Sequence, residues 1–434
     1  MKKSYSICFV LLLTISCSSS SALLKDENPT KNFVKCLNRY SADISDLVYT
    51  QESSNFTQTL LSTINNLRFA KPETPKPLVI VRPVSESQIQ TVIFCSRKHD
   101  LQMRIRSGGH SFEGLSYVSP LPFVILDIIN LKTFTFDAKT ETAWIGSGLT
   151  NGELYYRIGQ KSDTLGFPSG LWANVAVAPK FPKELEIKAD GQCILSDASP
   201  RADKKTMIFL FEAMYLGGAD QLLSVMQEQL PELGVVREDC FEVNFLQAGV
   251  YFSGFPLFTP PEILLNLTIL PRPAFKSNND YTKEPIPVEG LEGIWDLMYK
   301  LPPQKATLQF TPYGGRMDEI SESALPFPYR AGTWFKFNMF AETDTDEADR
   351  IEWIRNITTY LTPYVTSNPR SSYVNYVNLW LGTNNLQGPT SYQQASKWGK
   401  RYFRNNFDRL VRIKTMVDPG NFFRHEQSIP PLSL

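Results

Sequence analysis

The chain has 434 residues, of which 42% are hydrophobic and 12% aromatic, and its 44 Lys and Arg residues balance its 44 Asp and Glu residues. This length allows two domains with sizeable cores, and the composition excludes a disordered or fibrous protein. The even charge balance gives no reason to expect a nucleic acid or an acidic membrane surface as a partner.

The N-terminus has the pattern of a secretory signal. Two lysines precede an apolar stretch at residues 7–15, and residues 20–22 are the small residues that a signal peptidase prefers. The apolar stretch is too short to cross a bilayer. We therefore expect residues 1–22 to be removed and the mature protein to be secreted, to the cell exterior or the cell wall. The alternative is a buried N-terminal helix.

Secretion would change how the cysteines are interpreted, because disulfide bonds persist in oxidising compartments. The cysteines after the signal segment allow three pairings, and they are Cys36, Cys95, Cys193 and Cys240. We expect a bond between Cys36 and Cys95, which flank a compact region, and leave the other two open. On the chain-entropy model this bond contributes about 4 kcal/mol to the free energy of unfolding.

The sequence argues against a metal centre, because it has no CxxC motif and its three histidines are far apart.

Three Asn-x-Thr triplets begin at Asn55, Asn266 and Asn356. In a secreted protein such triplets accept glycans on the surface, although they also arise by chance. We therefore expect a glycoprotein.

The first predicted elements form a βαβ unit. Residues 78–81 are a β-branched run typical of a strand, and Ser85 followed by Gln88 predicts the start of a helix. Apolar and polar residues then alternate over 101–106, which predicts a half-buried strand with Leu101, Met103 and Ile105 on its core side.

Two further strand-like runs follow at 123–128 and 142–145, and Thr150 with Glu153 predicts the cap of another helix. From about residue 180 short β-like runs alternate with amphipathic stretches, which predicts an antiparallel sheet with helices on one side. Examples are residues 205–211, 221–233 and 334–340. A long helical stretch begins at Tyr392 and stops at Asp418-Pro419.

The predicted strand at 101–106 runs directly into Arg106-Ser107-Gly108-Gly109-His110. A Gly-Gly pair at a strand end lets consecutive backbone N–H groups point into one concavity, which suits the pyrophosphate of a dinucleotide. Arg106 would add charge-assisted hydrogen bonds, and His110 would stand beside the anion. The alternative is an ordinary turn followed by a surface histidine.

The longer string from Arg106 to Tyr117, RSGGHSFEGLSY, resembles the FAD-binding loop of the berberine bridge enzyme-like family, within the vanillyl-alcohol-oxidase or PCMH type of flavoprotein. The resemblance covers nearly the whole mature chain. Other matching segments are TPKPLVI from Thr74, PFPYRAG from Pro326, YVNY from Tyr373 and the stretch from Trp398 to Ile429.

This resemblance implies an α+β fold with two domains. Residues 23–177 would form an incomplete FAD-binding domain, and residues 178–370 a substrate domain of antiparallel sheet and helices. Residues 371–434 would return to complete the FAD domain.

The resemblance also implies the chemistry of the site. FAD would be bonded covalently through His110 to the 8α carbon of the flavin, and hydride would pass from a substrate carbon to the flavin. The residues around the cofactor would be Arg106, Ser107, Gly108, Gly109, Ser111, Tyr117, Tyr373 and Asn375. Tyr376 would be the base that removes a substrate proton, which requires a stabilised phenolate because a tyrosine pKa is near 10. The alternative for Tyr376 is a core aromatic.

Three single positions depart from the family pattern. The family's second flavin-linking cysteine corresponds to the stretch that ends at Trp172, so any covalent link through His110 would be the single one. Val377 stands where the family has an arginine after the base, and loss of that cation would leave the phenol pKa closer to its ordinary value. A glutamine of the substrate sheet corresponds to Asn338.

A larger departure is an internal gap. After residues 174–176 the family continues with glycine-rich strands and loops, whereas this chain goes directly to the substrate domain. We expect roughly a hundred residues to be absent, most of a domain-sized unit. A sheet without its inner strands would expose unpaired edges and apolar faces.

Two functions remain open. The first is a secreted FAD-dependent oxidoreductase that acts on a small plant metabolite, with molecular oxygen as the expected acceptor. The second is a catalytically inactive, truncated glycoprotein of the same family.

Overall fold

The computed structural model describes residues 28–167, 182, 184–266 and 272–432. The expected signal segment, residues 1–22, the gap junction at 174–176 and Trp172 lie outside these residues. The strands are β1 (Val48–Thr50), β2 (Val79–Val81), β3 (Gln102–Arg106), β4 (Phe123–Asp127), β5 (Phe134–Asp137), β6 (Thr142–Ile145), β7 (Leu185–Leu195), β8 (Lys205–Tyr215), β9 (Phe275–Thr282), β10 (Ala306–Pro312) and β11 (Phe335–Glu342). The α-helices are α1 (Pro29–Tyr40), α2 (Phe56–Leu61), α3 (Glu86–Lys98), α4 (Asn151–Gly159), α5 (Ala219–Gln229), α6 (Phe245–Phe252), α7 (Val288–Tyr299), α8 (Glu347–Tyr360), α9 (Tyr392–Phe403) and α10 (Asn406–Val417).

The N-terminal lobe, residues 28–167, is built on a four-stranded sheet with the order β1-β2-β4-β3. Strand β4 lies between β2 and β3 and pairs in parallel with both, so the predicted βαβ unit is present with β4 inserted between its strands. Helix α3 begins as expected, because the side chain of Ser85 accepts a hydrogen bond from the Gln88 backbone N–H. A disulfide joins α1 to α3 with the Cα atoms of Cys36 and Cys95 5.9 Å apart, which confirms the expected pairing.

Strand β3 departs from the predicted alternation. Ile105 is 46% exposed, whereas Arg104 and Arg106 are buried. Each arginine meets a carboxylate, with 2.7 Å from Arg104 Nη2 to Glu426 Oε1 and 2.8 Å from Arg106 Nη2 to Asp127 Oδ2. A buried charge is tolerated when it is paired. The expectation of Ile105 in the core was therefore wrong, since periodicity does not reveal partners that lie elsewhere in the sequence.

Strands β5 and β6 form a two-stranded antiparallel ribbon that is separate from the main sheet. Trp144 on this ribbon is 83% exposed. Helix α4 follows and begins with the predicted capping box, in which Thr150 and Glu153 each bond the other's backbone. An isolated ribbon with an exposed indole is what a sheet that lacks neighbouring strands would show.

The central lobe, residues 184–266 and 272–366, contains a five-stranded sheet with the order β8-β7-β10-β11-β9, antiparallel at every pairing. Helices α5, α7 and α8 pack on one face of it, over a core that includes Leu308, Phe337 and Met339. This confirms the predicted sheet with helices on one side. The opposite face is polar, and there Lys336 lies across from Thr311 on the neighbouring strand.

The C-terminal segment, residues 371–432, crosses edge strand β9 and then forms α9 and α10. Helix α10 ends at Val417, at the predicted Asp418-Pro419 stop. The segment contacts the N-terminal lobe through the Arg104–Glu426 ion pair and through Phe422, which packs on that lobe's core. In the described ranges no helix is both long enough and apolar enough to cross a membrane.

Candidate flavin and substrate site

The loop after β3 has a backbone that requires glycine. Gly109 adopts φ +69°, and a Cβ atom there would lie 1.7 Å from the carbonyl oxygen of Thr63. The side chain of Asn65 donates a hydrogen bond of 2.6 Å to the Gly108 carbonyl. These contacts fix the turn in one conformation, so that its amides are oriented before any ligand binds.

The amides of this loop form an open cradle. The backbone N–H groups of residues 108–113 donate no hydrogen bond to any other residue that the structure describes. Consecutive unpaired amides around a left-handed glycine are a common anion-binding arrangement. The residues present therefore fit the diphosphate side of a flavin dinucleotide.

His110 follows the two glycines and is solvent-exposed. The protein around the imidazole nevertheless desolvates it enough to lower its pKa below the ordinary value, which favours the neutral ring. A neutral imidazole keeps one nitrogen lone pair available, as bond formation to an electrophilic carbon requires.

Three other predicted cofactor residues of this loop hold its shape. Arg106 is directed inward to Asp127, and Tyr117 is 1% exposed with its hydroxyl donating 3.1 Å to the Ser111 carbonyl. Burial raises the pKa of Tyr117. The Ser107 hydroxyl donates 2.8 Å to a backbone carbonyl. Arg106, Ser107 and Tyr117 thus support the loop from within, and the open hydrogen-bonding groups on it are amides.

The loop that carries Tyr376 lies directly against this cradle. The rings of Phe112 and Tyr376 are stacked, with centroids 4.6 Å apart and planes within 8°. Tyr373 meets Tyr376 edge-on at 5.1 Å, and the Asn375 side chain donates 2.8 Å to the Tyr373 hydroxyl. The structure therefore brings together the two loops that the motifs single out, although they are far apart in the sequence.

Lys336 is a candidate functional residue that the motifs do not reveal. Its Nζ lies 4.2 Å from the Tyr376 ring centroid and 4.8 Å from that of Tyr373. The residue is 1% exposed, and desolvation lowers its pKa to about 7. Its alternation with Phe335 and Phe337 was the available signal, because it places a lysine on the polar face of the sheet. Strand β11 thus places a lysine side chain against the ring of Tyr376.

Asn338 lies on the same polar face, two residues beyond Lys336, and is buried. Its Oδ1 accepts a hydrogen bond of 2.7 Å from the Ser277 hydroxyl.

The asparagines of the three Asn-x-Thr triplets are exposed, as glycan acceptors must be. They are Asn55, Asn266 and Asn356. In the part of the chain that the structure describes, no group of three or more His, Cys, Asp or Glu residues is placed to hold a metal ion.

Comparison with known proteins identifies the family. A model described as berberine and berberine-like matches residues 372–430, and one described as an FAD-binding domain matches residues 77–178. A tetrahydroberberine oxidase of Berberis wilsoniae is 37% identical over an alignment that covers 100% of both chains. The chain belongs to the berberine bridge enzyme-like family.

Other members of the berberine bridge enzyme-like family agree with this assignment. Cannabidiolic acid synthase-like 2 of Cannabis sativa is 34% identical, with 94% of each chain covered. Among solved structures, a berberine bridge enzyme-like protein of Arabidopsis thaliana has a TM-score of 0.83 at 28% identity and covers 93% of this chain and 100% of its own. Berberine bridge enzyme from Eschscholzia californica has a TM-score of 0.84 at 26% identity, with 93% and 99% covered. These matches confirm the two-domain α+β fold, and members of the family are FAD-dependent oxidoreductases.

The alignment also bears on the internal gap. It runs over 532 positions, 98 more than the 434 residues of this chain, so at least that many aligned positions have no residue here. The match to the FAD-binding model ends at residue 178, next to the junction where the gap is expected. The difference in length therefore agrees with the expected absence of a segment inside the FAD-binding region.

Proposed function

We propose that this protein is a secreted FAD-dependent oxidoreductase of small plant metabolites, with FAD bonded to His110 and Tyr376 acting as base. The observation that carries the proposal is the stack of Phe112 on Tyr376 at 4.6 Å, which joins the His110 loop to the Tyr376 loop in one site. Cofactor loop and candidate base have to lie side by side for an oxidation that removes a hydride and a proton together.

His110 and the amides of residues 108–113 would hold the cofactor, with Tyr373 and Asn375 on the opposite side. A bound flavin supplies the acceptor for a hydride from the substrate carbon. The covalent link would be the single one through His110, because Trp172 replaces the family's linking cysteine. Arg106, Ser107 and Tyr117 would act indirectly, by keeping the loop closed beneath the cofactor, and Ser111 would do so through its carbonyl bond to Tyr117.

Tyr376 would accept the proton from the substrate hydroxyl or from an acidic carbon. A phenol serves as a base only as phenolate, and a cation close to the ring favours that form. The ammonium of Lys336, 4.2 Å from the ring centroid, is in position to do this. Lys336 would therefore prepare Tyr376 for proton abstraction, in place of a cation next to it in the sequence.

Relatives support the substrate class that we propose. Matched proteins include tetrahydroberberine oxidases, a monolignol oxidoreductase of Arabidopsis thaliana and a grass pollen allergen with glucose dehydrogenase activity. We infer an alcohol, a carbohydrate or an alkaloid-like amine as substrate, with molecular oxygen as electron acceptor. No nucleic acid or membrane partner is indicated.

We also propose that the protein is secreted and that each of its domains has a separate role. The disulfide between Cys36 and Cys95 and the three exposed sequon asparagines suit an extracellular glycoprotein. Residues 23–177 would bind FAD, 178–370 would provide the substrate face, and 371–434 would close the site from the other side.

A second candidate, a catalytically inactive glycoprotein of the same family, is favoured by one feature. Trp144 is 83% exposed on a ribbon that pairs with no other strand of the described chain. A cofactor-binding domain that lacks its neighbouring strands would bind FAD weakly or not at all.

Anaerobic reduction tests the choice between the two. Purified protein would be mixed with a panel of alcohols, sugars and alkaloid amines while flavin absorbance is followed, and oxygen would then be admitted. The proposed oxidoreductase bleaches with at least one class and regains its colour with oxygen. Protein that contains flavin but is bleached by dithionite and by no substrate would favour the inactive alternative.

A further inference from the structure

A buried ion pair joins the cofactor loop to the central sheet. Glu113, three residues after His110, accepts a hydrogen bond from the ammonium of Lys276 on β9. The two side chains are 6% and 3% exposed. Arg68 of the N-terminal lobe reaches the other oxygen of Glu113, with 3.6 Å from Nη1 to Oε2. The pair therefore lies at the contact between two lobes, out of reach of bulk solvent.

The same pair holds the loop that carries Tyr376. Lys276 Nζ donates 3.3 Å to the side-chain oxygen of Asn378, and the backbone N–H of Leu379 donates 3.4 Å to Glu113. The indole of Trp380 covers the ammonium, with Nζ 4.3 Å from the ring centroid. Three consecutive residues of this loop, 378–380, are thus attached to one ion pair.

Asn378 is itself anchored from several directions. Its side chain donates 2.7 Å to Asn278 on β9, and its backbone N–H donates 3.0 Å to the hydroxyl of Tyr402. Gln427 donates 2.9 Å to its carbonyl oxygen. A residue held this firmly two positions after Tyr376 transmits any displacement of the ion pair to the candidate base.

A buried ion pair is poor evidence of net stability, because its desolvation cost offsets much of the attraction, whereas loss of one partner leaves an uncompensated charge. Its best-attested use is to specify one geometry among alternatives. Here the ion pair would specify the relative position of two loops, residues 108–114 and residues 373–382.

We propose that Glu113 and Lys276 are positioning residues that hold the flavin-attachment loop and the Tyr376 loop at a fixed separation. This inference rests on the proposed function for its catalytic meaning, although the coupling between the loops does not depend on flavin. The pair would let His110 meet the flavin ring in the orientation that bond formation requires, and keep Tyr376 facing the same site.

The test compares Lys276→Met, Glu113→Gln, their double variant and the conservative Lys276→Arg. Lys305→Met is the matched control, since Lys305 pairs with Glu342 at 2.7 Å near β10 and both residues are about one-third exposed. Backbone hydrogen exchange is measured for the full chain, together with the fraction of flavin that stays attached after acid precipitation.

Exchange should accelerate about tenfold or more in the hydrogen-bonded amides of residues 114–118, at the end of the cofactor loop, and of residues 373–382 in both single variants, and remain unchanged in β10. The double variant should be no worse than the singles, and Lys276→Arg should restore most of the protection. Acid-stable flavin should fall in the single variants while the protein remains folded. Lys305→Met should change neither loop.

Unchanged exchange in the two loops would overturn the inference, as would acceleration spread evenly over the whole central sheet, which marks general destabilisation. If Lys276→Met does not fold, Glu113→Gln, which keeps the shape of the side chain, decides alone. Wild-type protein that carries no flavin would refute the proposed function, and the exchange comparison would still decide whether the pair couples the loops.

Discussion

The ammonium of Lys336 lies 4.2 Å from the ring centroid of Tyr376, and the Tyr376 ring stacks on Phe112 in the loop that follows His110. No carboxylate of the described chain forms an ion pair with this lysine, and the faces of Tyr373 and Tyr376 lie 4.8 Å and 4.2 Å from its ammonium. A buried cation between two phenol rings destabilises the folded protein. The same cation stabilises a phenolate beside it.

Replacing Tyr376 with Phe removes the ionisable hydroxyl and keeps the ring that stacks on Phe112. Turnover should fall by about a hundredfold or more, the range of general-base catalysis, with flavin content unchanged. Steady-state kinetics on a substrate from the anaerobic panel would measure this. Tyr156→Phe, which changes a peripheral tyrosine on α4, is the control, and a Tyr376→Phe enzyme as fast as wild type would exclude the tyrosine as base.

Lys336→Met should stabilise the protein at neutral pH while it reduces turnover. The folded-state pKa is about 7 against an ordinary 10.5, so the unfolded chain binds this proton more readily. The resulting cost is complete below pH 7 and fades as pH rises to 10.5. The variant should therefore be more stable at pH 7 by up to about 4 kcal/mol, with a smaller difference at pH 9.

Urea unfolding of wild type and Lys336→Met at the two pH values measures this difference. A variant that is less stable than wild type at pH 7 would show that the lysine has a stabilising partner.

Much of the fold could be predicted from local patterns. Ser85 with Gln88 and Thr150 with Glu153 mark helix starts that depend on residues only three positions apart, and both are confirmed. The antiparallel sheet was predicted from short β-like runs that alternate with amphipathic stretches. These features depend on interactions within a few residues, which the sequence displays directly.

The rest depends on partners distant in sequence. Arg104 is buried because Glu426 comes to it from the far end of the chain. Lys336 becomes a candidate only once the C-terminal segment brings Tyr376 over it. Alternation in β11 indicates only that Lys336 lies on the polar face of the sheet, and neither partner can be read from the sequence, because each pairing is formed when separate elements pack together.

Acid should destabilise the protein through His425. Desolvation first, and then the charges of Arg104 and Lys414, lower the pKa of His425 to about 4 from an ordinary 6.5. The unfolded chain therefore takes up this proton first as pH falls, and stability is lost progressively between pH 6.5 and 4. The loss is up to about 3 kcal/mol.

His425→Asn should lose less stability over this range than wild type, as measured by urea midpoints at pH 7 and pH 5. His99→Asn, at the end of α3, controls for loss of an imidazole elsewhere. Equal losses in wild type and His425→Asn would mean that other groups control the acid limit.

Trp144 should make the protein prone to associate. Its indole is 83% exposed on the β5–β6 ribbon, where it offers an apolar surface to other molecules. Trp144→Ser should raise solubility and lower binding of a hydrophobic dye, and it should change the free energy of unfolding by no more than about 0.5 kcal/mol. Light scattering against concentration measures this, with Thr142→Ser on the same ribbon as control. A large loss of stability would instead show that the indole is packed in solution.

The most direct test of the flavin site is the colour of folded, secreted protein after acid precipitation. We expect a yellow chromophore that stays with the precipitated wild type and passes into the supernatant from His110→Ala. Folded wild type that is colourless and takes up no added FAD would contradict a flavin site at His110.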